Sequence, residues 1–197
     1  MHTEVKSQYK DLIDYFDKIA SDFRTDPGEV QRAEYIFEML KPTRTKVAID
    51  IGCGNGFLLP ILRRCAETVV GVDISRGMLK LAKINGIVIN SNAEALPIKD
   101  ESVGIILNYC VLPHIRDRIA AYREYHRVLC PDGVVYIVHP EGRERTNEIH
   151  KEIGNPVKND LLPAGSILMK ELSDIGFKIV SHVDSINLFL IAAVKSI

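Results

Sequence analysis

Asp50 and the three glycines that follow it at alternate positions, Gly52, Gly54 and Gly56, are the residues with the clearest chemical potential. They end an apolar run that suits a buried parallel strand. Glycines in a strand-to-helix turn let the backbone adopt positive φ and let a ligand approach closely. Phe57 stands where a dinucleotide-binding fingerprint needs glycine or alanine, and an acid here would repel a phosphate. The pattern therefore predicts a site for a non-phosphate ligand group, with a purely structural turn as the alternative.

A second acidic residue, Asp73, closes another apolar run, 21 positions after Gly52. In nucleotide-binding α/β folds, an acid at about this distance ends the second strand and hydrogen-bonds the ribose hydroxyls. Ser75 follows at a position suited to a helix N-cap. We therefore expect Asp73 to bind a ribose.

The D-x-G-x-G-x-G pattern resembles motif I of the class I S-adenosylmethionine-dependent methyltransferases. Asn92–Pro97 resembles the family's D-A-x-x-L-P segment, with Asn92 in place of the aspartate that binds the adenine amine, and Tyr125–Gly133 resembles its R-x-L-K-P-G-G turn. The resemblance implies S-adenosylmethionine as cofactor and S-adenosylhomocysteine as product, with Asp50 facing the cationic methionine end. It implies cofactor contacts from Asp50, Gly52, Cys53, Gly54, Gly56, Asp73, Ile74, Met78, Asn92, Ala93, Glu94 and Asn108.

Three histidines are the candidate catalytic residues: His114, His139 and His150. Methyl transfer is an in-line displacement that depends on alignment, and it needs a general base only when the acceptor starts protonated. His114 follows the fourth predicted strand, where a structural role at a helix start is the alternative. His139 and His150 could contact an acceptor, merely pack, or join Glu141 around a metal; we assign no metal.

The N-terminal segment is the candidate cover of the site. Residues 16–23 resemble the Y/F-D-x-x-A opening of small-molecule methyltransferases related to the quinone C-methyltransferases, the type 11 branch. The resemblance implies a lid from which Tyr15 or Tyr9 could face the transferred methyl. Tyr15, Glu141 and Arg143 are the expected substrate contacts.

Alternating strand and helix patterns position these residues. They predict a doubly wound, mostly parallel seven-stranded sheet of the Rossmann-like methyltransferase type, with a C-terminal antiparallel hairpin. Strands are expected near 46–50, 69–73, 87–90, 103–109, 133–138, 177–183 and 188–194, and helices near 5–24, 30–40, 57–65, 76–84, 116–129, 143–153 and 167–175. One domain is expected over 1–197, with a lid (1–42), a cofactor-binding core (43–139), a substrate-side insertion (140–165) and a closing helix and hairpin (166–197).

Composition narrows the partners. Among 197 residues the net charge is −1, without the basic stripe that nucleic-acid binders carry. The longest apolar run, 188–194, is too short for a membrane span, and no secretory signal pattern stands at the start. We expect a cytoplasmic enzyme, a monomer or homodimer, that methylates a small molecule and binds neither nucleic acid nor membrane. A methyltransferase for protein or RNA, and a non-catalytic cofactor-binding protein, remain the alternatives.

Overall fold

The computed structural model describes residues 8–196, in which seven strands form one sheet. Their order is β3-β2-β1-β4-β5-β7-β6, with parallel pairing from β3 to β5 and antiparallel pairing of β7 with both neighbours. This confirms the predicted fold class. The strands are β1 (Thr45–Ile51), β2 (Ala66–Asp73), β3 (Ile87–Asn90), β4 (Val103–Tyr109), β5 (Leu129–His139), β6 (Phe177–Ser185) and β7 (Leu188–Lys195).

Seven α-helices flank this sheet within the described part of the chain. They are α1 (Lys10–Ile19), α2 (Pro27–Leu40), α3 (Leu59–Leu62), α4 (Arg76–Ala82), α5 (Arg118–Val128), α6 (Gly142–Ile153) and α7 (Gly165–Ile175). Short 3₁₀ turns span Lys83–Asn85 and Leu112–His114. The predicted helix 57–65 shrinks to α3 because β2 begins at Ala66, three residues earlier than expected, and the chain must turn between them. The predicted helix 5–24 is α1 alone among the described residues.

Both faces of the central strands β1, β4, β5 and β7 are largely buried, which explains their apolar runs. On β1, Ala48 belongs to one core cluster and Ile49 to the other, because successive side chains point to opposite faces. The α5 side of the sheet contains Tyr122 and Tyr125, both fully buried. Helices on both faces make this a doubly wound sheet.

The sheet order reverses between β1 and β4, and this reversal positions the site. Ile51 at the end of β1 lies opposite Val72 of β2 and Asn108 of β4. The carboxyl ends of these three strands therefore open into one crevice, where doubly wound sheets bind their ligands. Within residues 8–196, no helix is long and apolar enough to span a membrane.

Candidate functional site

The glycine turn after β1 has three positive-φ residues with different reasons for being glycine. A side chain at Gly52 (φ +70°) would meet Val111, and one at Gly56 (φ +79°) would meet the backbone of Ala82. At Gly54 (φ +52°), by contrast, an added Cβ would have no neighbour within 4 Å among the described residues. Two glycines are thus required by packing, and the middle one keeps open space free for a ligand.

Asp73 fixes this turn from the end of β2. Its Oδ2 accepts a hydrogen bond from the Gly54 amide at 2.9 Å, and its Oδ1 accepts one from the Ser75 amide at 2.8 Å. Burial raises the pKa of Asp73, although these amide hydrogen bonds act in the opposite direction. The carboxylate therefore connects the glycine turn to the N-terminus of α4, where Ser75 caps the Met78 amide.

A cavity of about 240 Å³ lies between the glycine turn, Asp73 and α1. Among the predicted cofactor residues, those that line it are Gly52, Cys53, Gly54, Asp73, Ile74, Met78, Asn92 and Ala93, and His114 lines it as well. The remaining wall is rich in aromatic side chains, namely Tyr9, Phe16, Phe23, Phe57 and Tyr109. The site can hold a ligand with an apolar or aromatic part.

Helix α1 and the residue before it line the cavity through Tyr9, Leu12 and Phe16, and the helix is attached near both of its ends. The Tyr9 hydroxyl donates to Glu94 Oε1 at 2.5 Å and accepts from the Arg116 amide at 2.8 Å. Asp17 Oδ1 accepts from the Ser75 hydroxyl at 2.6 Å and from the Gly77 amide at 2.7 Å. These contacts attach α1 to the loop after β3 and to the start of α4.

Four predicted cofactor residues do not line the cavity. Asp50 is buried under the turn; among described residues its two carboxylate oxygens have no hydrogen-bond partner, and burial followed by the charge of Asp73 raises its pKa. Gly56 packs against α4. Asn108 is fully buried on β4, where its amide donates to a tyrosine hydroxyl at 2.9 Å. Glu94 accepts from Tyr9 and from a loop amide at 2.8 Å, so it holds α1 instead.

The three predicted substrate residues also lie outside the cavity wall. Tyr15 packs edge-on against Phe16, with ring centroids 5.2 Å apart, while Phe16 itself faces the cavity. Glu141 forms an ion pair with Arg32 of α2. Arg143 lies 3.6 Å from the carboxylates of Glu144 and Asp184. Helix α1 therefore presents Tyr9 and Phe16 to the cavity, because Tyr15 is on a different face of the helix.

The three predicted catalytic histidines converge, although only His114 lines the cavity. The ring centroids of His114 and His150 are 4.8 Å apart, and both residues lower the pKa of His139. Burial, with the neighbouring His114 and His150, lowers the pKa of His139 to about 3, and within residues 8–196 its ring nitrogens have no hydrogen-bond partner. His139 is therefore a neutral buried ring behind the site. The described residues contain no cluster of three or more His, Cys, Asp or Glu side chains suited to a metal ion.

Several site residues escaped the sequence reasoning. Tyr109 and Cys110 line the cavity at the end of β4, and the rule for carboxyl ends of parallel strands could have found them. Glu29 lines it from the first turn of α2, and burial raises its pKa against the effect of Arg32. Asp160, in the loop before α7, is hydrogen-bonded to His114; no local pattern marks either acid.

Comparison with known proteins gives matching results for sequence and fold. Residues 49–137 match a family described as a methyltransferase domain. A ubiquinone biosynthesis O-methyltransferase of Bartonella tribocorum is 32% identical over 128 residues, which cover 61% of this chain and 48% of that protein. The chain spans about half the length of the curated relatives it matches.

Two solved structures have the same fold. The methyltransferase in a complex with the Trm112 methyltransferase activator of Haloferax volcanii superposes with a TM-score of 0.75 at 16% identity, over 92% of this chain and 98% of that one. An S-adenosylmethionine-dependent methyltransferase of Thermotoga maritima gives a TM-score of 0.68 at 23% identity, over 85% and 89% of the two chains. At these identities the likeness establishes the architecture alone.

Proposed function

We propose that this chain is a class I S-adenosylmethionine-dependent methyltransferase and that it methylates a small molecule bound in the cavity beneath α1. The observation that carries the proposal is the contact between Asp73 and the Gly54 amide at the floor of that cavity. The contact places a carboxylate beside the open space that the middle glycine leaves free. A ribose diol needs such an acceptor.

The residues present fit the cofactor. Asp73 would accept hydrogen bonds from the ribose, and Asn92 and Ala93 would line the adenine end. The methionine end would lie along the turn formed by Gly52, Cys53 and Gly54. The buried Asp50 carboxyl would lie beneath it. S-adenosylmethionine supplies an electrophilic methyl group on a sulfonium. The chain's own share of the chemistry is to bind, to exclude water beneath α1 and to align the acceptor.

A hydroxyl group on an apolar or aromatic molecule is the acceptor class that we favour. The wall beyond the glycine turn carries Phe16, Tyr109 and Ile115, which suit such a body. The relatives named as O-methyltransferases support oxygen as the methylated atom. His114 is the one predicted catalytic histidine at the wall and would contact the acceptor.

A macromolecular acceptor is less well supported. Helix α1 lies across the cavity and is held at Tyr9 and Asp17, which leaves little room for a folded protein or a nucleic-acid strand. The net charge of −1 gives no electrostatic attraction to RNA or DNA. We propose a cytoplasmic enzyme, monomeric or homodimeric, that does not bind nucleic acid.

Radiolabelled S-adenosylmethionine offers the direct test. The protein would be incubated with the label and the small-metabolite fraction of its source cell, and transferred methyl would be followed by chromatography. We expect a labelled, apolar small product with the wild type and far less of it with Asp73→Ala. Label found only in protein or RNA would contradict the small-molecule assignment. Failure to bind S-adenosylhomocysteine in calorimetry would refute the cofactor site.

A further inference from the structure

We propose that Asp160 is the positioning residue that makes His114 a general base for a hydroxyl acceptor. The inference rests on the proposed function and extends it, because it assigns the proton of the acceptor to a particular ring nitrogen. Asp160 lies 46 residues from His114 in the sequence, on a loop without a catalytic motif.

The geometry of the pair carries the argument. His114 Nδ1 lies 2.8 Å from Asp160 Oδ2, and Asp160 Oδ1 accepts from the Arg116 guanidinium at 2.5 Å. The Asp160 side chain is only 3% exposed. Burial raises its pKa, but the hydrogen bonds from His114 and Arg116 outweigh burial and the pKa is lowered overall. Asp160 is therefore an ionised carboxylate, which can only accept hydrogen bonds.

An ionised Asp160 decides which tautomer His114 adopts. Because the carboxylate can only accept, the hydrogen of the neutral imidazole lies on Nδ1, and Nε2 keeps its lone pair. Among the described residues, the His114 ring makes no other hydrogen bond, and His114 is one of the residues that line the cavity. Nε2 is thus the nitrogen that can take a proton from a bound acceptor.

The loop that carries Asp160 is itself fixed to α6. His150 Nδ1 bonds to the Asp160 carbonyl oxygen. The Asn147 side chain makes two hydrogen bonds to the Leu162 backbone: it accepts from the amide at 2.7 Å and donates to the carbonyl oxygen at 3.2 Å. This gives His150 a role different from the predicted catalytic one: it holds the backbone of Asp160 while its ring packs beside His114.

The proposed reaction combines proton transfer to His114 with displacement at the methyl carbon. The acceptor O–H bond breaks, its proton goes to Nε2 of His114, and the oxygen lone pair forms the new bond to the methyl carbon. The electron pair of the broken C–S bond remains on sulfur, which leaves as a neutral thioether. The imidazolium is stabilised by Asp160 and later releases its proton to water. The charged and titratable groups around His114 are Asp160, Arg116, His150 and His139.

Nitrogen-15 NMR of the histidine rings tests the tautomer without any substrate or variant. We expect neutral His114 to carry its hydrogen on Nδ1 in the wild type. In Asp160→Asn we expect a mixture of tautomers, because the carboxylate that selects Nδ1–H is lost. A neutral wild-type His114 that carries its hydrogen on Nε2 would overturn the proposal. This result does not depend on whether the variant folds.

Kinetics with two phenols tests the proton transfer to His114. One is catechol; the other is 4-nitrocatechol, which has a hydroxyl that is already ionised at about pH 8. We expect Asp160→Asn to lower kcat for catechol about 100-fold, the usual share of a general base. For 4-nitrocatechol we expect a loss below about fivefold, because no proton must be removed. KM for S-adenosylmethionine should change less than about threefold, since Asp160 would act only on the acceptor side.

Asp100→Asn is the matched control. Asp100 also accepts a hydrogen bond from an arginine, Arg127, at 2.5 Å, but no histidine within residues 8–196 bonds to it and it does not line the cavity. Both phenols should turn over normally in this variant. Equal losses for the two phenols in Asp160→Asn would overturn the base assignment. Wild-type protein that binds S-adenosylhomocysteine yet methylates neither phenol would overturn it as well, while leaving the methyltransferase proposal intact.

Discussion

Removal of the Asp17 carboxylate is expected to loosen α1 and to speed release of the cofactor product. Asp17 does not line the cavity, so any effect on a ligand must pass through the position of α1. Its Oδ1 accepts hydrogen bonds from the Ser75 hydroxyl at 2.6 Å and from the Gly77 amide at 2.7 Å. Gly77 is packed so closely that an added Cβ would lie 3.0 Å from Ala20 and Asp17.

The size of the effect follows from these two hydrogen bonds. The Ser75 bond is accepted by a carboxylate but is only partly buried, so water can replace part of it; we take about 1 kcal/mol for its loss, below the usual roughly 1.5–3 kcal/mol for a hydrogen bond to a charge. The Gly77 bond is exposed, and water can replace it, so about 0.5 kcal/mol is appropriate. Together they give roughly 1.5 kcal/mol, which is about a tenfold shift in the equilibrium between attached and detached α1.

Stopped-flow displacement of S-adenosylhomocysteine measures the consequence in Asp17→Ala. We expect the dissociation rate to rise about tenfold, and amide hydrogen exchange in α1 to accelerate by a similar factor. Asp14→Ala is the control, because Asp14 is on the same helix but, in the described part of the chain, pairs with the exposed Lys10 alone. Faster exchange in α1 with an unchanged dissociation rate would refute the idea that the ligand leaves beneath this helix.

Three further outcomes test the site and its surroundings. Asp73→Ala should weaken S-adenosylhomocysteine binding by about 1.5–3 kcal/mol in calorimetry, the usual loss for a hydrogen bond to a charge; unchanged affinity would remove the ribose assignment. Gly54→Val should abolish this binding because its side chain enters the open space of the turn. Gly154→Val should bind normally, since Gly154 also has a positive φ and no described residue within 4 Å of an added Cβ. Wild-type affinity in Gly54→Val would place the cofactor elsewhere. The pKa of His139 is lowered to about 3 in the folded protein, which favours the neutral ring. The stability that the neutral His139 contributes is therefore fully present above the unfolded pKa of about 6.5. It is lost as the pH falls toward 3. Denaturant unfolding should therefore lose roughly 1.5 kcal/mol less between about pH 6.5 and 5 in His139→Phe than in the wild type; identical losses would show that His139 is not a buried neutral ring.

The alternation of strands and helices, the glycine turn and the acid at Asp73 could be predicted from the sequence because local rules govern them. Apolar runs of strand length produce a buried parallel sheet. A turn that needs positive φ needs glycine, and an acid at the end of the second strand lies at the crevice by topology. Even the N-cap at Ser75 was predictable, and its hydroxyl accepts the Met78 amide at 3.0 Å.

The structure places side chains differently from the sequence-based expectation where they compete for partners. Glu94 follows the adenine-side motif in sequence, yet Tyr9 reaches it from 85 residues away and uses it to hold α1. Tyr15 and Tyr9 were equally plausible on the helix pattern, and only the way α1 lies across the cavity selects Tyr9. A sequence pattern gives the face of a helix, but the neighbouring elements decide which residues of that face meet a ligand.

The sequence by itself determined the sheet, the glycine turn and the acid at Asp73, because each depends on residues close together along the chain. Tertiary structure alone decided the histidine environment. His114, His139 and His150 were recognisable as candidates, but Asp160, which contacts His114 at 2.8 Å, could not be predicted. That contact depends on the path of a loop over α6, and such a path follows from packing and hydrogen bonds that no local periodicity encodes.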